Sequence, residues 1–351
     1  MNETNINPRQ NFILNLITKS NGVLRSEIQR AAEKNYKISK PTLLRDLNQL
    51  INHKLIRIEG KGKNTRYFSY SRNPLLRPYD LEQYFLIEPD SRSDAKKHFD
   101  FSLFDHLNDL FSKEDIEKIK KNRKDFEKQT KNLSPDILKR ELERFVIELS
   151  WKSSKIEGNT YTLLETEALI KESKSASGKT NAETLMILNH KQAFEQILKI
   201  KKDFKTLSLP LINQLHQILT KNLSVDFGIR KQAVGITGTT YRPLDNEHQI
   251  REAMKKLVSV INTNRSPLEK ALIANTMIPY IQPYADGNKR TGRMLTNAIL
   301  MAFNYYPLSY RSVDEDEFKK ALIIFYERGT IYHFKNLFID QLIFSYNTYF
   351  I

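Results

Sequence analysis

The chain contains no cysteine, one tryptophan, 11 glycines and 12 prolines in 351 residues. Without cysteine there is no disulfide framework, no thiolate zinc ligand and no thiol nucleophile. No apolar run approaches the roughly 18–20 residues that span a bilayer, so no membrane partner is expected. The first ten residues, MNETNINPRQ, lack the apolar segment of a signal peptide, and the expected location is cytoplasmic. The length is ample for a sizeable core and implies two or three domains. A hydrophobic share of 40% with 28% charged residues is that of a globular chain rather than a disordered one.

Charge is abundant and uneven. The formal net charge is +15, and residues 1–75 hold 14 Lys and Arg against 5 Asp and Glu. Such a bias points to an anionic partner for that end, or to no more than a lysine-rich solvated surface. The local pattern bears on the choice. Phe12, Ile13, Leu16 and Ile17 recur at helical spacing before Ser20-Asn21-Gly22, and a short helix is expected from Leu24 to Ala32. A third helix starts at Ser39, with Pro41 in its first turn and an apolar stripe of Leu43, Leu44, Leu47, Leu50 and Ile51. Alternating residues on either side of Gly60–Asn64, from Leu55 to Glu59 and from Arg66 to Tyr70, predict a β-hairpin. Three helices and a hairpin make a winged helix-turn-helix over residues 1–75. In that arrangement Lys40, Thr42 and Arg45 face a DNA major groove, while Lys61, Lys63 and Arg66 lie over phosphates. The same unit could instead serve protein contacts, and pairing on two half-sites would make a homodimer.

Residues 76–140 are polar, charged and helical in pattern, and read as a connector with breaks near Pro89 and at Ser134-Pro135. From 141 to 351 the pattern is one of successive helices, so the fold class is mostly α. Ala233–Leu244, AVGITGTTYRPL, stands apart as a short hairpin or flap.

The densest chemistry lies in residues 282–293, QPYADGNKRTGR, between two apolar helices. Asp286-Gly287-Asn288 is a turn that can start a helix, whose free N–H groups make an anion site. Lys289, Arg290 and Arg293 add cations, the two arginines on one face. An acid beside a phosphate-binding turn suits Mg²⁺, which takes few carboxylates and keeps phosphate oxygens. Read from spacing alone, the run is either a Mg²⁺–polyphosphate site or a helix with a solvated basic face.

This run resembles the signature of the Fic (Fido) family, His-Pro-Phe-x-Asp/Glu-Gly-Asn-Gly/Lys-Arg-x-x-Arg. Pro283, Asp286, Gly287, Asn288, Lys289, Arg290 and Arg293 match, Tyr284 stands for Phe, and Gln282 replaces the His. Residues 153–159, SSKIEGN, resemble the family's inhibitory motif Ser/Thr-x-x-x-Glu-Gly/Asn. The likeness spans about residues 140–345, and it implies a Fic-type helical bundle with a β-hairpin flap that transfers AMP from ATP to a protein hydroxyl. It implies Asp286 as the Mg²⁺ ligand, with Gly287, Asn288, Lys289, Arg290 and Arg293 on the phosphates. It also implies a target protein aligned by Thr237, Gly238, Thr239, Thr240 and Tyr241. Glu157, with Ser153 and Gly158, would pair with Arg293 and hold ATP unproductively. Gln282 stands where the general base belongs, and an amide takes no proton near pH 7. Three alternatives follow: a nucleotide-binding protein without turnover, a transferase with another base or substrate, or a substitution in an active enzyme. A DNA-bound regulator whose pocket senses a nucleotide is the companion reading. None of the seven histidines falls in the signature, and His216 reads as a core or surface residue whose helix could approach it.

Overall fold

The computed structural model describes residues 6–349 except 19, 21, 54, 61, 70–72 and 93, and of Lys63 the backbone alone. The chain forms two compact units, Met1–Ser93 with Gly329–Tyr332, and Asp94–Arg328 with His333–Ile351.

The first unit contains α1 (Pro8–Thr18), β1 (Val23–Leu24), α2 (Arg25–Glu33), α3 (Lys40–Asn52), β2 (Ile56–Glu59), β3 (Arg66–Ser69) and a short α4 (Leu81–Phe85). The Ser39 hydroxyl accepts from the Thr42 amide at 3.4 Å and starts α3. Leu43, Leu47 and Leu50 then fall on one face and meet Ile13, Ile17 and Ile28 in a common core. Asp46 shares that buried face and is paid for by Arg9, whose Nε lies 2.6 Å from its carboxylate. The sheet runs β1-β3-β2, all antiparallel, with Tyr67 opposite both Val23 and Ile58. Thr330 and Ile331 join this unit, the Ile331 amide donating to Leu75 O at 2.7 Å.

The second unit is helical: α5 (Lys113–Thr130), α6 (Pro135–Ile156), α7 (Leu163–Glu172), α8 (Asn181–Ile200), α9 (Leu209–Leu219), α10 (Glu247–Thr263), α11 (Pro267–Ile281), α12 (Asn288–Ala302), α13 (Glu315–Arg328) and α14 (Tyr332–Thr348). Every residue of α11 from Leu268 to Ile281 is buried, as expected of a helix whose apolar residues fall on all its faces. It packs on α12 at close range: a Cβ added to Gly292 would lie 3.3 Å from both Asn275 O and Pro279 Cδ. Pro279 has no N–H for Asn275 O, its partner four residues back. No described helix is long and apolar enough to cross a membrane.

One expectation changes on this frame and two are sharpened. The boundary expected at 140–141 falls inside α6, because Ser134 caps a helix that then runs unbroken for 22 residues. The units instead divide at residue 93, within the expected connector. Helix α14 lies in the run of helices expected to the end of the chain, where the sequence reading sets no bounds for it. Its aromatic residues favour strand in isolation, yet Phe334, Phe338, Leu342 and Tyr346 recur every four residues and are buried. Of the two readings for 233–244, the chain takes the flap: among the described residues it has no ladder of its own, only a parallel bridge from Arg242 to His98. The sheet lies in the first unit.

Candidate active site

Helix α11 ends where Gln282 turns left-handed, at φ 51° and ψ 58°. Residues 283–287 then lead into α12, which begins at Gly287 with φ 80°. Glycine is required there twice over. The conformation disfavours a side chain, and a Cβ would meet Thr220 Cγ2 at 2.9 Å. Asn288 closes the turn, its Oδ1 accepting from Tyr284 N at 3.0 Å and its Nδ2 donating to Tyr284 O at 2.8 Å. No side chain caps α12, so the amides of its first turn are available to an anion.

The loop borders a cleft of about 370 Å³. Its walls are Glu157 at the end of α6, residues 234–237 of the flap, Gln282 and residues 285–289, and Lys319, Leu322, Ile323 and Tyr326 of α13. Of the sequence-selected residues, Gln282, Asp286, Gly287, Asn288, Lys289, Glu157 and Thr237 line it. Arg290 and Arg293 are buried behind its wall. Arg290 braces the loop, its Nη2 2.8 Å from Asp286 Oδ2. Asp286 is otherwise exposed and also accepts from its neighbour's amide, Gly287 N, at 2.6 Å.

Gln282 has both ends of its amide engaged. Its Nε2 donates to Pro279 O at 2.8 Å and its Oε1 accepts from Asn288 Nδ2 at 2.7 Å. The side chain is thus held in the loop, with no ionisable group at that position.

Glu157 lies between two cations. Its Oε1 is 2.8 Å from Arg293 Nη2 and its Oε2 is 2.9 Å from Lys289 Nζ. Burial alone would push its pKa up; the charges of Arg293 and then Lys289 overcome that and hold it down at about 2. Ser153, one turn earlier, accepts from Arg293 Nε at 2.9 Å through its hydroxyl and from Nη2 at 2.8 Å through its carbonyl. Gly158 follows at φ 92° with open space around it.

In the flap, Thr237 and Gly238 form an exposed turn. Thr239 Oγ1 donates to Glu327 at 2.5 Å, and the Thr240 hydroxyl is buried without a hydrogen-bond partner. Tyr241 is buried and donates to Tyr280 O at 2.8 Å, so it anchors the flap rather than presenting a binding edge.

Three features escaped the sequence reading, and a fourth, His216, was read there only as a core or surface residue whose helix could approach the signature. His216 is buried under the loop, its Nε2 2.9 Å from Asp286 O and its ring stacked on Tyr284 with centroids 3.7 Å apart. Burial lowers its pKa to about 4. Arg230, also buried, donates to Gln282 O at 2.7 Å and to Gln232 O and Leu244 O, the two ends of the flap. Lys289 pairs with Glu157 instead of standing free. The wall on α13 carries a helical-face signal, Lys319, Leu322, Ile323 and Tyr326, but spacing does not say what a face packs against.

In the N-terminal unit, Lys40 and Arg45 are exposed on α3. Thr42 is half-buried and tied to the cap, its Oγ1 2.9 Å from the Ser39 hydroxyl. Arg66 is exposed and donates to Gly22 O at 3.0 Å. Lys61 and the side chain of Lys63 lie outside the described residues, as does Tyr70, the expected end of the second strand.

The residues at the loop fit a polyphosphate: uncapped amides, a glycine that lets an anion approach, and an exposed carboxylate. Among the described residues no three His, Asp or Glu side chains could hold a metal by themselves. A Mg²⁺ at Asp286 would therefore take most of its oxygens from its ligand and from water.

Such a buried helix–loop–helix opening onto a cleft is the core of a Fic fold, and residues 206–300 match the model of the Fic/DOC family. The likeness to the Fic/DOC family thus falls on residues 206–300, which hold α9 to α11 and most of α12. Among curated proteins it is similar to the protein adenylyltransferase Fic of Nematostella vectensis, 27% identical over 202 residues, 53% of this chain and 44% of that protein. It is also similar to the protein adenylyltransferase fic-1 of Caenorhabditis elegans, 26% identical over 159 residues, 44% of this chain and 31% of that one. The chain thus matches less than half the length of either relative. Among solved structures, a Fic domain containing signaling protein from Bacteroides thetaiotaomicron superposes with a TM-score of 0.57 at 22% identity, over 66% of this chain and 94% of that one. Fic-1 from C. elegans does so with a TM-score of 0.57 at 20% identity, over 66% and 71%. These structures share the fold.

Proposed function

We propose that the C-terminal unit is an autoinhibited nucleotide pocket of the adenylyltransferase kind. It takes ATP with Mg²⁺, and any turnover is transfer of AMP to a hydroxyl of a target protein. The observation that carries this reading is the position of Glu157. A carboxylate sits between Arg293 and Lys289 at the rim of an uncapped helix start, where a phosphate would otherwise bring the negative charge.

Within this reading the residues divide the work. The amides at the start of α12 and Lys289 hold the phosphates, and Asp286 supplies one oxygen to the metal, whose chemistry is to neutralise phosphate charge. Arg290 keeps the loop in shape. The flap aligns the target chain beside Gln282. Phosphoryl-type transfer rests mainly on positioning and charge stabilisation, so the frame can operate without a strong base. Loss of a general base nonetheless costs about 10²–10⁴ in rate, and Gln282 has its amide already committed. The chain is therefore a nucleotide-binding protein first and a slow transferase at most.

Calorimetry with Mg-ATP tests this. Wild type binds weakly, Glu157→Gly binds at least about tenfold tighter once the competing carboxylate is gone, and Arg290→Ala loses binding. Labelling by radiolabelled ATP should be faint in Glu157→Gly and strong when Gln282→His is added. Absence of binding in both wild type and Glu157→Gly would overturn the reading.

A second reading concerns the first unit. Its first three helices, its sheet and the exposed Lys40 and Arg45 on a capped α3 support a winged helix-turn-helix for duplex DNA. Duplexes selected from a random pool should bind in a salt-dependent way, with Lys40→Ala and Arg45→Ala weakening the complex. Pool selection that returns no preferred sequence, with binding indifferent to Mg-ATP, would remove the regulator reading.

A further inference from the structure

Behind Arg293 lies a buried histidine that the proposed chemistry does not use. His190 on α8 has no solvent exposure. Its Nδ1 is 2.7 Å from Met186 O, and its Nε2 is 2.8 Å from the Ser153 hydroxyl. A second hydroxyl, Ser154, stands farther off, 3.4 Å from Nδ1.

Elementary donor rules fix every proton in this row. A carbonyl only accepts, so Nδ1 carries the hydrogen and donates it to Met186 O. In the neutral ring Nε2 is then an acceptor. Ser153 must give its one hydroxyl hydrogen to Nε2, which leaves its oxygen free to accept. Arg293 Nε, 2.9 Å away, is the donor that fills it. The guanidinium is thereby turned so that Nη2 reaches both Ser153 O and Glu157 Oε1, each at 2.8 Å. Arg293 Nη1 is left buried with no hydrogen-bond partner.

We infer that His190 is a positioning residue for the inhibitory pair: by accepting the Ser153 hydroxyl hydrogen, it makes Ser153 an acceptor and keeps Arg293 turned toward α6 and Glu157 instead of toward the cleft. The inference deepens the pocket reading above and rests on it for its consequence. Remove the acceptor, and the Ser153 hydroxyl no longer has a fixed direction. Its oxygen competes less well for Arg293 Nε, and the arginine gains freedom to meet an anionic ligand. The side chain on α8, with no place in the cleft, thus sets how tightly the cleft is held closed.

The test uses the full chain and two readouts. The first is amide hydrogen exchange at Glu157, Gly158 and Asn159, which needs no nucleotide. The second is Mg-ATP affinity by calorimetry. Ser153→Ala and His190→Phe should each speed exchange there, and each should bind Mg-ATP about fivefold tighter, the worth of one hydrogen bond. His190→Gln, which returns an acceptor near the Nε2 position, should stay within about twofold of wild type. In an Arg293→Ala background, Ser153→Ala and His190→Phe should add nothing further. A role limited to packing would lower stability in all three variants without raising affinity. The inference is overturned if folded Ser153→Ala and His190→Phe leave exchange unchanged, or if His190→Gln behaves like His190→Phe. If exchange responds while no variant binds Mg-ATP, Glu157→Gly included, the positioning role stands and the pocket reading falls.

Discussion

The two units treat positive charge in opposite ways. In the N-terminal unit Lys40, Arg45 and Arg66 stay in solvent on α3 and β3. In the helical unit Arg230, Arg290 and Arg293 are almost fully buried, and each is tied to backbone carbonyls or carboxylates. An exposed cation is hydrated, screened by salt and nearly free to change. A buried one persists only with partners, and its loss leaves those partners stranded. The first arrangement suits a long polyanion met by many weak contacts, the second a small anion met in one geometry.

The largest effect expected from this contrast is on stability. Trp151 is the chain's one tryptophan and lies on α6, so its fluorescence reports the helical unit. In urea unfolding followed at Trp151, Arg293→Ala should cost about 3 kcal/mol, because Glu157 keeps only Lys289 and Ser153 loses two donors. Arg45→Ala should change stability by less than about 0.5 kcal/mol. Similar costs for the two would break the comparison.

Acid should sharpen it. Burial, joined by the nearby positive charges of Arg290 and Arg293, holds His190 down at about 3, against its bond to Met186 O, and burial holds His216 at about 4. Their unfolded forms take up protons near pH 6.5. The unfolded chain thus binds more protons through this window, and stability falls as pH drops below about 6.5. Between pH 7 and pH 5 each histidine should remove about 2 kcal/mol from the Trp151-monitored transition. Glu157, depressed to about 2, adds stability that is present above about 4.5 and lost only as pH falls through its folded value. A stability profile flat from pH 7 to pH 5 would show that the two rings are not held neutral.

A smaller effect belongs to Gly287. Gly287→Ala brings a Cβ against Thr220 in a left-handed conformation and should cost about 1–3 kcal/mol, together with a loss of nucleotide affinity. The smallest is on the surface: Lys40→Ala should lower the salt slope of duplex binding by about 1 and leave the helical unit's unfolding unmoved.

How legible was all this in the sequence? Helix positions from 142 to 328 were open to reading because capping residues and apolar stripes agree there: Thr162 caps α7 and Ser266 caps α11. The run 282–293 was legible as an anion turn because Gly, Asn and the cations are adjacent in the chain. The direction in which its arginines point was not. Arg290 and Arg293 share a face of α12, as spacing says, but that face is the buried one, a fact set by α6 and α9 from elsewhere in the chain. His190, Arg230 and the contact that His216 makes were illegible for the same reason. Each works through a carbonyl or hydroxyl more than 30 positions away, and a carbonyl leaves no mark in a sequence.

Arg230 carries a last consequence. One guanidinium fastens the entry and the exit of the 233–244 stretch to the backbone of Gln282. The segment is therefore a loop on a fixed base. Since lengthening a loop whose ends are already held costs little, its interior is free to be rewritten, by insertion or exchange, while the wall of the cleft keeps its dimensions. The flap and the turn that opens α12 can therefore diversify separately.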